Sequence, residues 1–199
     1  MGDPYQTPLE LLYNISRELA ASIDLNTVLG RVLTLATQYV HADRATIIVL
    51  DESLQPVDSA IVVEGQMISH TVEQLKATID SGLAGWVLRN KQSVLINDTS
   101  QDPRWLRRPD DAADKTGPKS AICLPLMARE ELVGVMTIVH SQPGRFGSDD
   151  QALLQAIADQ AGIAVNNARL YNALQAAHRR YRELFEDSID PILLTGLNG

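Results

Sequence analysis

The sequence predicts an α+β fold in which helices pack on a mostly antiparallel sheet. Apolar residues recur at helical spacing near both ends, whereas the middle of the chain carries short β-branched runs. These runs come as two hairpins separated by a crossover, and hairpins make neighbouring strands antiparallel. The predicted order is two helices, two strands, a short helix, three strands and a final long helix.

Helical spacing near the start predicts a first helix over residues 8–22, and Asp24 is a good N-cap for a second helix that ends near His41. The first stripe consists of Leu9, Leu12, Ile15, Ser16 and Leu19. The run RATIIVL at residues 44–50 predicts a strand, and residues 57–64 predict its hairpin partner.

The middle of the chain combines glycine-rich, strand-like and aperiodic segments. Gly82 and Gly85 predict a tight entry into a short helix that ends near Asn90. Residues 93–97, 120–127 and 133–140 predict three strands, and Pro125 places the second of these near an edge or a bulge. Residues 98–119 have no periodicity, and a loop of this length is usually functional or disordered.

Composition excludes several classes of protein. The 199 residues include 25 acidic and 17 basic side chains, and a net charge of -8 makes nucleic acid an unfavourable partner. Cys123 is the single cysteine, so an intrachain disulfide is impossible and a reducing, cytoplasmic location is expected. Neither a signal peptide nor an apolar run approaching the ~20 residues of a membrane span is visible.

Several motifs, in this order and spacing, resemble those of a GAF domain over roughly residues 8–174. They are GLAGWVL from Gly82, VLIND from Val94, DPRW from Asp102, SAICLPL from Ser120, LVGVM from Leu132 and FGSDD from Phe146. The resemblance implies a six-stranded antiparallel sheet with helices on one face and a ligand pocket on the other. It also implies a non-catalytic sensor of a bacterial-type signalling protein, such as a histidine kinase or a diguanylate cyclase.

The last residues resemble a different module. Residues 181–194 are similar to the first helix and strand of a PAS domain, which indicates a piece of a longer signalling protein. The expected divisions are a disordered or extended start over 1–7, the GAF domain over 8–174, a helical coiled-coil linker over 175–187 and a truncated PAS domain over 188–199.

By resemblance, the pocket wall draws on two tryptophans and three polar residues. These candidate ligand-binding residues are Trp86, Asp98, Asp102, Trp105 and Ser120. An alternative interpretation needs no ligand. Trp86 then belongs to the core, and Asp98 and Asp102 cap turns through hydrogen bonds to nearby backbone N–H groups.

The resemblance leaves the ligand and any cofactor unknown. Relatives that bind cyclic nucleotides often carry an Asn-Lys pair, a Phe and an Asp-Glu pair. Phe146 and Asp150 match the Phe and the Asp of this pattern. Because Gln151 replaces the Glu and the Lys is absent, a cyclic nucleotide is not favoured. Covalent bilin attachment is not expected, because a lone cysteine within a strand is usually a buried small hydrophobe. Haem is not favoured, since it would depend on His70.

An enzymatic role is not expected either. Some GAF proteins reduce free methionine sulfoxide through a sulfenic acid and a resolving disulfide, and one cysteine cannot supply both partners. No spacing typical of a metal site or of a catalytic triad is visible in the sequence.

The final helix is predicted over residues 149–187, a length of ~58 Å at ~1.5 Å per residue, and carries two apolar stripes. One stripe suits packing on the sheet. The other alternates by four and three, as a heptad seam does, and consists of Ile163, Asn167, Leu170, Leu174, Ala177, Tyr181 and Leu184. We expect a homodimer in which this seam and the first helix, with Leu12 and Leu19, form a four-helix interface. One alternative for the second stripe is that it packs on the first helix. Two alternatives for the function are a domain that only dimerises and binds no ligand, and a small-molecule-binding activator domain of a transcription regulator.

Overall fold

A computed structural model describes residues 7–21, 24–68, 78–106 and 117–186 of the chain. The helices are α1 (Pro8–Ala21), α2 (Leu25–Val40), α3 (Leu83–Asn90) and α4 (Ser148–Glu186). The strands are β1 (Arg44–Leu50), β2 (Pro56–Val63), β3 (Gln66–Met67), β4 (Val94–Ile96), β5 (Ser120–Ala128) and β6 (Glu131–His140).

The strands form one six-stranded sheet in the order β3-β2-β1-β6-β5-β4, and neighbouring strands are antiparallel. The predicted α+β class and the six-stranded antiparallel sheet are therefore confirmed. The strand predicted at residues 44–50 coincides with β1. Pro125 lies beyond the part of β5 that β4 covers, near a register shift at Leu126, as an edge or bulge position requires.

Both faces of the sheet are covered, which explains why β1 is buried along most of its length. Ala45, Ile47 and Val49 point to the face on which α1, α2 and the first part of α4 pack. Ile48 belongs to a second apolar cluster on the opposite face, together with residues of α3. The alternation along the strand therefore assigns its odd-numbered residues to the helical layer and its even-numbered residues to the face of α3.

Helix α2 has the boundaries that its capping residues predict. The Asp24 carboxylate accepts a hydrogen bond from Thr27 N at 3.1 Å and caps the first turn. His41 adopts the left-handed conformation at the C-terminal end, where its N–H donates to the Thr37 carbonyl. Both residues confirm the helix boundaries expected from the sequence.

The final helix α4 changes character along its length, and the chain divides into two compact units between Asn166 and Asn167. Most of the predicted sheet-facing stripe is buried: Leu154, Ile157, Ala158, Ala161 and Val165 are fully covered. Ala168, the last residue of that stripe, is half-buried. Beyond it, Leu170, Leu174 and Tyr181 are 62%, 67% and 61% exposed. These three side chains belong to the predicted heptad seam, and its role as a dimer interface stays a prediction.

The stripe predicted on α1 divides between core and solvent. Ile15 is buried and Leu12 packs partly against the same core, whereas Leu9 and Ser16 are exposed, and the Leu19 side chain lies outside the described part of the chain. Leu11, which the predicted stripe did not include, is buried as well. Among the described helices, none combines the length and apolarity that crossing a bilayer would need.

Some predictions fall on residues that the structure does not describe. The sequence also suggests a short helix over residues 72–79, and this segment lies mostly outside the described ranges, although residues 78–80 are helical. Residues 1–6 of the expected disordered or extended start, the haem candidate His70 and the truncated PAS domain expected over residues 188–199 also lie outside the described ranges.

Candidate functional site

A pocket of about 50 Å³ lies on the α3 face of the sheet. Its floor comes from β1, through Arg44, Thr46 and Ile48, and from β6, through Thr137 and Val139. The antiparallel register makes Thr46 the direct partner of Thr137, and Arg44 the partner of Val139. The strand pairing thereby brings two hydroxyl-bearing residues together on the pocket floor, beside Arg44, Ile48 and Val139.

The other described lining residues come from three segments outside the strands. They are Thr78, Leu83 and Ala84 from the α3 region, Trp105 and Leu106 from the segment after β4, and Lys119 from the residue before β5. The described lining thus combines two cations, three threonines and six apolar residues, with no carboxylate among them. Such a lining suits a small ligand that has an apolar body and an anionic or hydrogen-bonding group.

The segment after β4 is shaped by Asp98. Its carboxylate accepts hydrogen bonds from Ser100 N at 2.9 Å, Ser100 Oγ at 2.6 Å and Gln101 Nε2 at 3.0 Å. The bond from the Ser100 hydroxyl is the main reason that the pKa of Asp98 is lowered. This geometry matches the turn-capping alternative for Asp98.

Asp102 forms a compact cluster with Arg104 and Trp86, which we call the Arg104 latch. The Asp102 carboxylate accepts from Arg104 Nε at 2.9 Å and from Arg104 Nη2 at 2.7 Å, a bidentate ion pair, and also from the Arg104 backbone N–H at 2.9 Å. The guanidinium carbon of Arg104 lies 4.6 Å from the centre of the Trp86 ring. The latch therefore attaches the segment after β4 to α3 through charge, hydrogen bonding and cation–π contact.

The latch positions the pocket wall. The next two residues, Trp105 and Leu106, line the pocket, and Trp105 N donates to the Asp102 carbonyl at 3.0 Å. Trp105 thus lies at the pocket as the resemblance implied. Trp86 and Asp102 are not among the described lining residues, and ligand contact by these two residues stays a prediction.

Acid is expected to open the Arg104 latch. Hydrogen bonding to Arg104 is the main cause that lowers the pKa of Asp102 below its ordinary value of 3.8. A lowered pKa means that the latch is fully formed above pH ~3.9 and is lost as the pH falls through the lower folded-state pKa. In a Trp105→Phe background, Trp86 emission should therefore change with a midpoint below pH 3.8, while far-UV circular dichroism shows the fold retained.

The matched control for the acid titration is Asp102→Asn, which keeps the shape and removes the charge. It should show the open-latch emission at neutral pH and no transition in acid. A transition of unchanged midpoint and amplitude in Asp102→Asn would mean that another group is responsible.

Ser120 is fully buried at the start of β5, and it is not among the described lining residues of the pocket. Its hydroxyl donates to the Gln142 carbonyl at 2.8 Å, in the connection between β6 and α4. Its neighbour Lys119 lines the pocket instead. Sequence reasoning missed Lys119, Arg44 and Thr46, although the polar residues at alternate positions of an apolar strand were a readable signal in β1.

Cys123 lies on the α3 face of β5, fully buried beside Thr137, whose Oγ1 is 3.3 Å from its Sγ. Burial raises the pKa of the thiol to about 12, so the reactive thiolate is strongly disfavoured. This environment supports the interpretation of Cys123 as a small core residue. Within the described ranges, no group of three or more His, Cys, Asp or Glu residues is arranged to hold a metal ion.

Phe146 and Asp150, the two matches to the cyclic-nucleotide pattern, have structural roles away from the pocket. Phe146 is buried in the core that α1, α2 and α4 share, on the other face of the sheet. The Asp150 carboxylate accepts from Gly147 N at 2.9 Å at the start of α4. Both placements agree with a core anchor and a first-turn acid.

Comparison with known proteins identifies the same fold and related sequences. The chain is 24% identical to a probable 3',5'-cyclic phosphodiesterase of Caenorhabditis elegans, pde-5, over 88% of this chain and 25% of that protein. It is 25% identical to the Nif-specific regulatory protein of Herbaspirillum seropedicae, over 91% of this chain and 33% of that protein. The chain thus spans a quarter to a third of these relatives.

A solved structure agrees with the architecture. The GAF domain of the Acinetobacter phosphoenolpyruvate-protein phosphotransferase superposes with a TM-score of 0.63 at 19% identity, covering 85% of this chain and 99% of that one. The relationship to a cyclic phosphodiesterase also weakens the expectation that cyclic nucleotides are disfavoured. The GAF domain family model matches residues 22–166, which is most of the chain, and we conclude that the chain belongs to the GAF domain family, a regulatory type of domain.

Proposed function

We propose that this chain is the sensory domain of a longer signalling protein, such as a histidine kinase or a diguanylate cyclase. In this proposal it binds a small molecule in the pocket beside α3 and passes the bound state to an output domain through α4. The observation that carries the proposal is the pocket itself, where cations, hydroxyls and apolar groups converge next to a tryptophan held by the Arg104 latch.

Hydrogen bonds connect the segment that carries Lys119 to the loop between β6 and α4. Lys119, a lining residue, exchanges two bonds with Thr99: its N–H donates to Thr99 Oγ1 at 2.9 Å, and its carbonyl accepts from Thr99 N at 2.8 Å. The next residue, Ser120, is bonded to Gln142 in the connection that leads into α4. A ligand that displaces Lys119 would therefore act on the connection to the output helix.

In this proposal the chain forms a homodimer, and the paired α4 helices transmit the state of the pocket. The heptad seam leaves Leu170, Leu174 and Tyr181 exposed on α4, and exposed apolar side chains at this spacing favour pairing with another helix. Two α4 helices in contact can change register or rotate when the pocket is filled. An interaction-only dimerisation domain is the competing function, and the same exposed seam supports it.

Ligand binding can be tested directly, because the protein has two tryptophans and both lie at the site. In a Trp86→Phe background, Trp105 becomes the single reporter of the pocket wall. We expect at least one compound in a panel of carboxylates, cyclic nucleotides, amino acids and purines to change Trp105 emission and raise the melting temperature. The reciprocal Trp105→Phe variant is the control, and its emission should respond less.

The result that would contradict ligand binding is equally simple. If no compound in the panel moves either the Trp105 emission or the melting temperature while the protein dimerises, the interaction-only function is the better description.

A further inference from the structure

We infer that the pocket selects a compact organic carboxylate held by Arg44 and Lys119. This inference rests on the proposed ligand-binding function and narrows it to one chemical class. It follows from the charge of the lining, from the balance of polar and apolar groups, and from the size of the cavity.

The charge of the lining favours an anion. Arg44 on β1 and Lys119 before β5 are contributed by different elements, and the described lining holds no acidic residue. Each cation also makes another interaction in the structure, so a bound anion would share these side chains. Burying a carboxylate is costly unless cations and hydrogen-bond donors compensate it, and charge-assisted bonds are the strong ones.

The polar and apolar groups of the lining together favour an organic anion over an inorganic one. Thr46 and Thr137 are cross-strand partners, and both residues line the pocket floor. Six of the eleven described lining residues are apolar, including Ile48, Leu83 and Trp105. A fully polar oxyanion leaves these six without a partner, whereas a short carbon skeleton contacts them.

The size of the cavity limits the length of that skeleton. Its volume of about 50 Å³ is about a third of the ~150 Å³ cavity that accommodates benzene in another protein. A cyclic nucleotide, with a purine, a ribose and a phosphate, exceeds this space unless the walls move. The geometry therefore fits acids of about two to four carbons without rearrangement.

The test compares each acid with its neutral amide, at constant ionic strength, on the full chain. Acetate, pyruvate and succinate are measured against acetamide, pyruvamide and succinamide by thermal shift and isothermal titration calorimetry. At about one hundred times its dissociation constant, a bound acid should raise the melting temperature by roughly 5–10 °C. The matching amide should give no comparable shift, because it lacks the charge that Arg44 and Lys119 recognise.

Substitutions assign the binding to the pocket. Lys119→Gln and Arg44→Gln should each weaken binding by about ten- to a hundredfold, the effect of losing a hydrogen bond to a charged group. Lys119→Arg keeps the charge and should retain most of the affinity. Arg17→Gln removes the same charge from an exposed position of α1, and should leave the affinity unchanged. Arg44 belongs to β1. If Arg44→Gln fails to fold, the affinity of Lys119→Gln decides the test.

Each outcome has a definite meaning. Binding of cyclic nucleotides, inorganic phosphate or a neutral amide while the acids are inactive would overturn the carboxylate inference but leave the ligand-binding function standing. Equal weakening in Lys119→Gln and Arg17→Gln would overturn it as well, since it would show a general charge effect. No response to any member of either panel would overturn the inference and the proposed ligand binding together.

Discussion

Replacing Leu170 and Leu174 with glutamate is expected to convert the proposed dimer to monomers while the sheet stays folded. Both leucines are more than 60% exposed in the single chain, so little folding energy depends on them. In a dimer, four leucines leave the seam, and each buried leucine contributes about 1.5–3 kcal/mol. Dissociation should therefore become more than about a thousandfold easier, which sedimentation equilibrium measures.

The matched control adds the same two charges to the other side of the same helix. Asn172 and Ala176 are also exposed, and at ~100° per residue they lie roughly opposite Leu170 and Leu174. Asn172→Glu with Ala176→Glu should leave the dimer intact. A wild-type chain that is monomeric at ~100 µM would contradict the dimer itself, and equal dissociation of both variants would contradict the assignment of the seam.

Most of the architecture could be read from the sequence, because its elements have strong local signals. β1 is an uninterrupted β-branched run, Asp24 caps α2 through its own side chain, and α4 keeps one apolar period from Leu154 to Val165. β3 was missed in the residue pattern, since its two residues form a strand only by pairing with Val62 and Val63. Two residues are too few to show the alternation of apolar and polar side chains that predicts a strand, so β3 depends on tertiary contacts alone.

The candidate site was less predictable, for a related physical reason. Trp105 and Asp102 belong to a motif that is contiguous in the sequence, so resemblance located them. Arg44 and Thr46 lie near Lys119 only because β6 pairs with both β1 and β5, and that pairing is not encoded near any one of these residues. Ser120, predicted at the pocket wall, instead hydrogen-bonds the connection to α4, and a single serine carries no sequence signal that separates these two roles.

Adding one methyl group at Gly85 is expected to destabilise the domain and to damage the pocket. In an ordinary helix, Gly→Ala stabilises by about 1 kcal/mol, because alanine has the higher helix propensity. Here an added Cβ would lie 1.9 Å from the Ile79 carbonyl oxygen and 2.9 Å from its carbon, so α3 and residues 78–80 would have to separate. We expect a net loss of about 1–3 kcal/mol in the free energy of unfolding, measured by urea denaturation.

The separation would reach the pocket, because Thr78 and Leu83 lie on the two sides of this contact and both line the cavity. Gly85→Ala should therefore also weaken ligand binding, whereas Gly147→Ala, where an added Cβ meets nothing within 4 Å, should change neither property by more than about 0.5 kcal/mol. If Gly85→Ala is more stable than the wild type, helix propensity outweighs the contact, and the close approach of α3 to Ile79 is not maintained in solution. If Gly85→Ala is less stable than the wild type, the close approach of the backbone requires glycine at this position. The same reason applies to Gly82 of the GLAG motif, where an added Cβ would lie 2.7 Å from the Thr78 carbonyl oxygen.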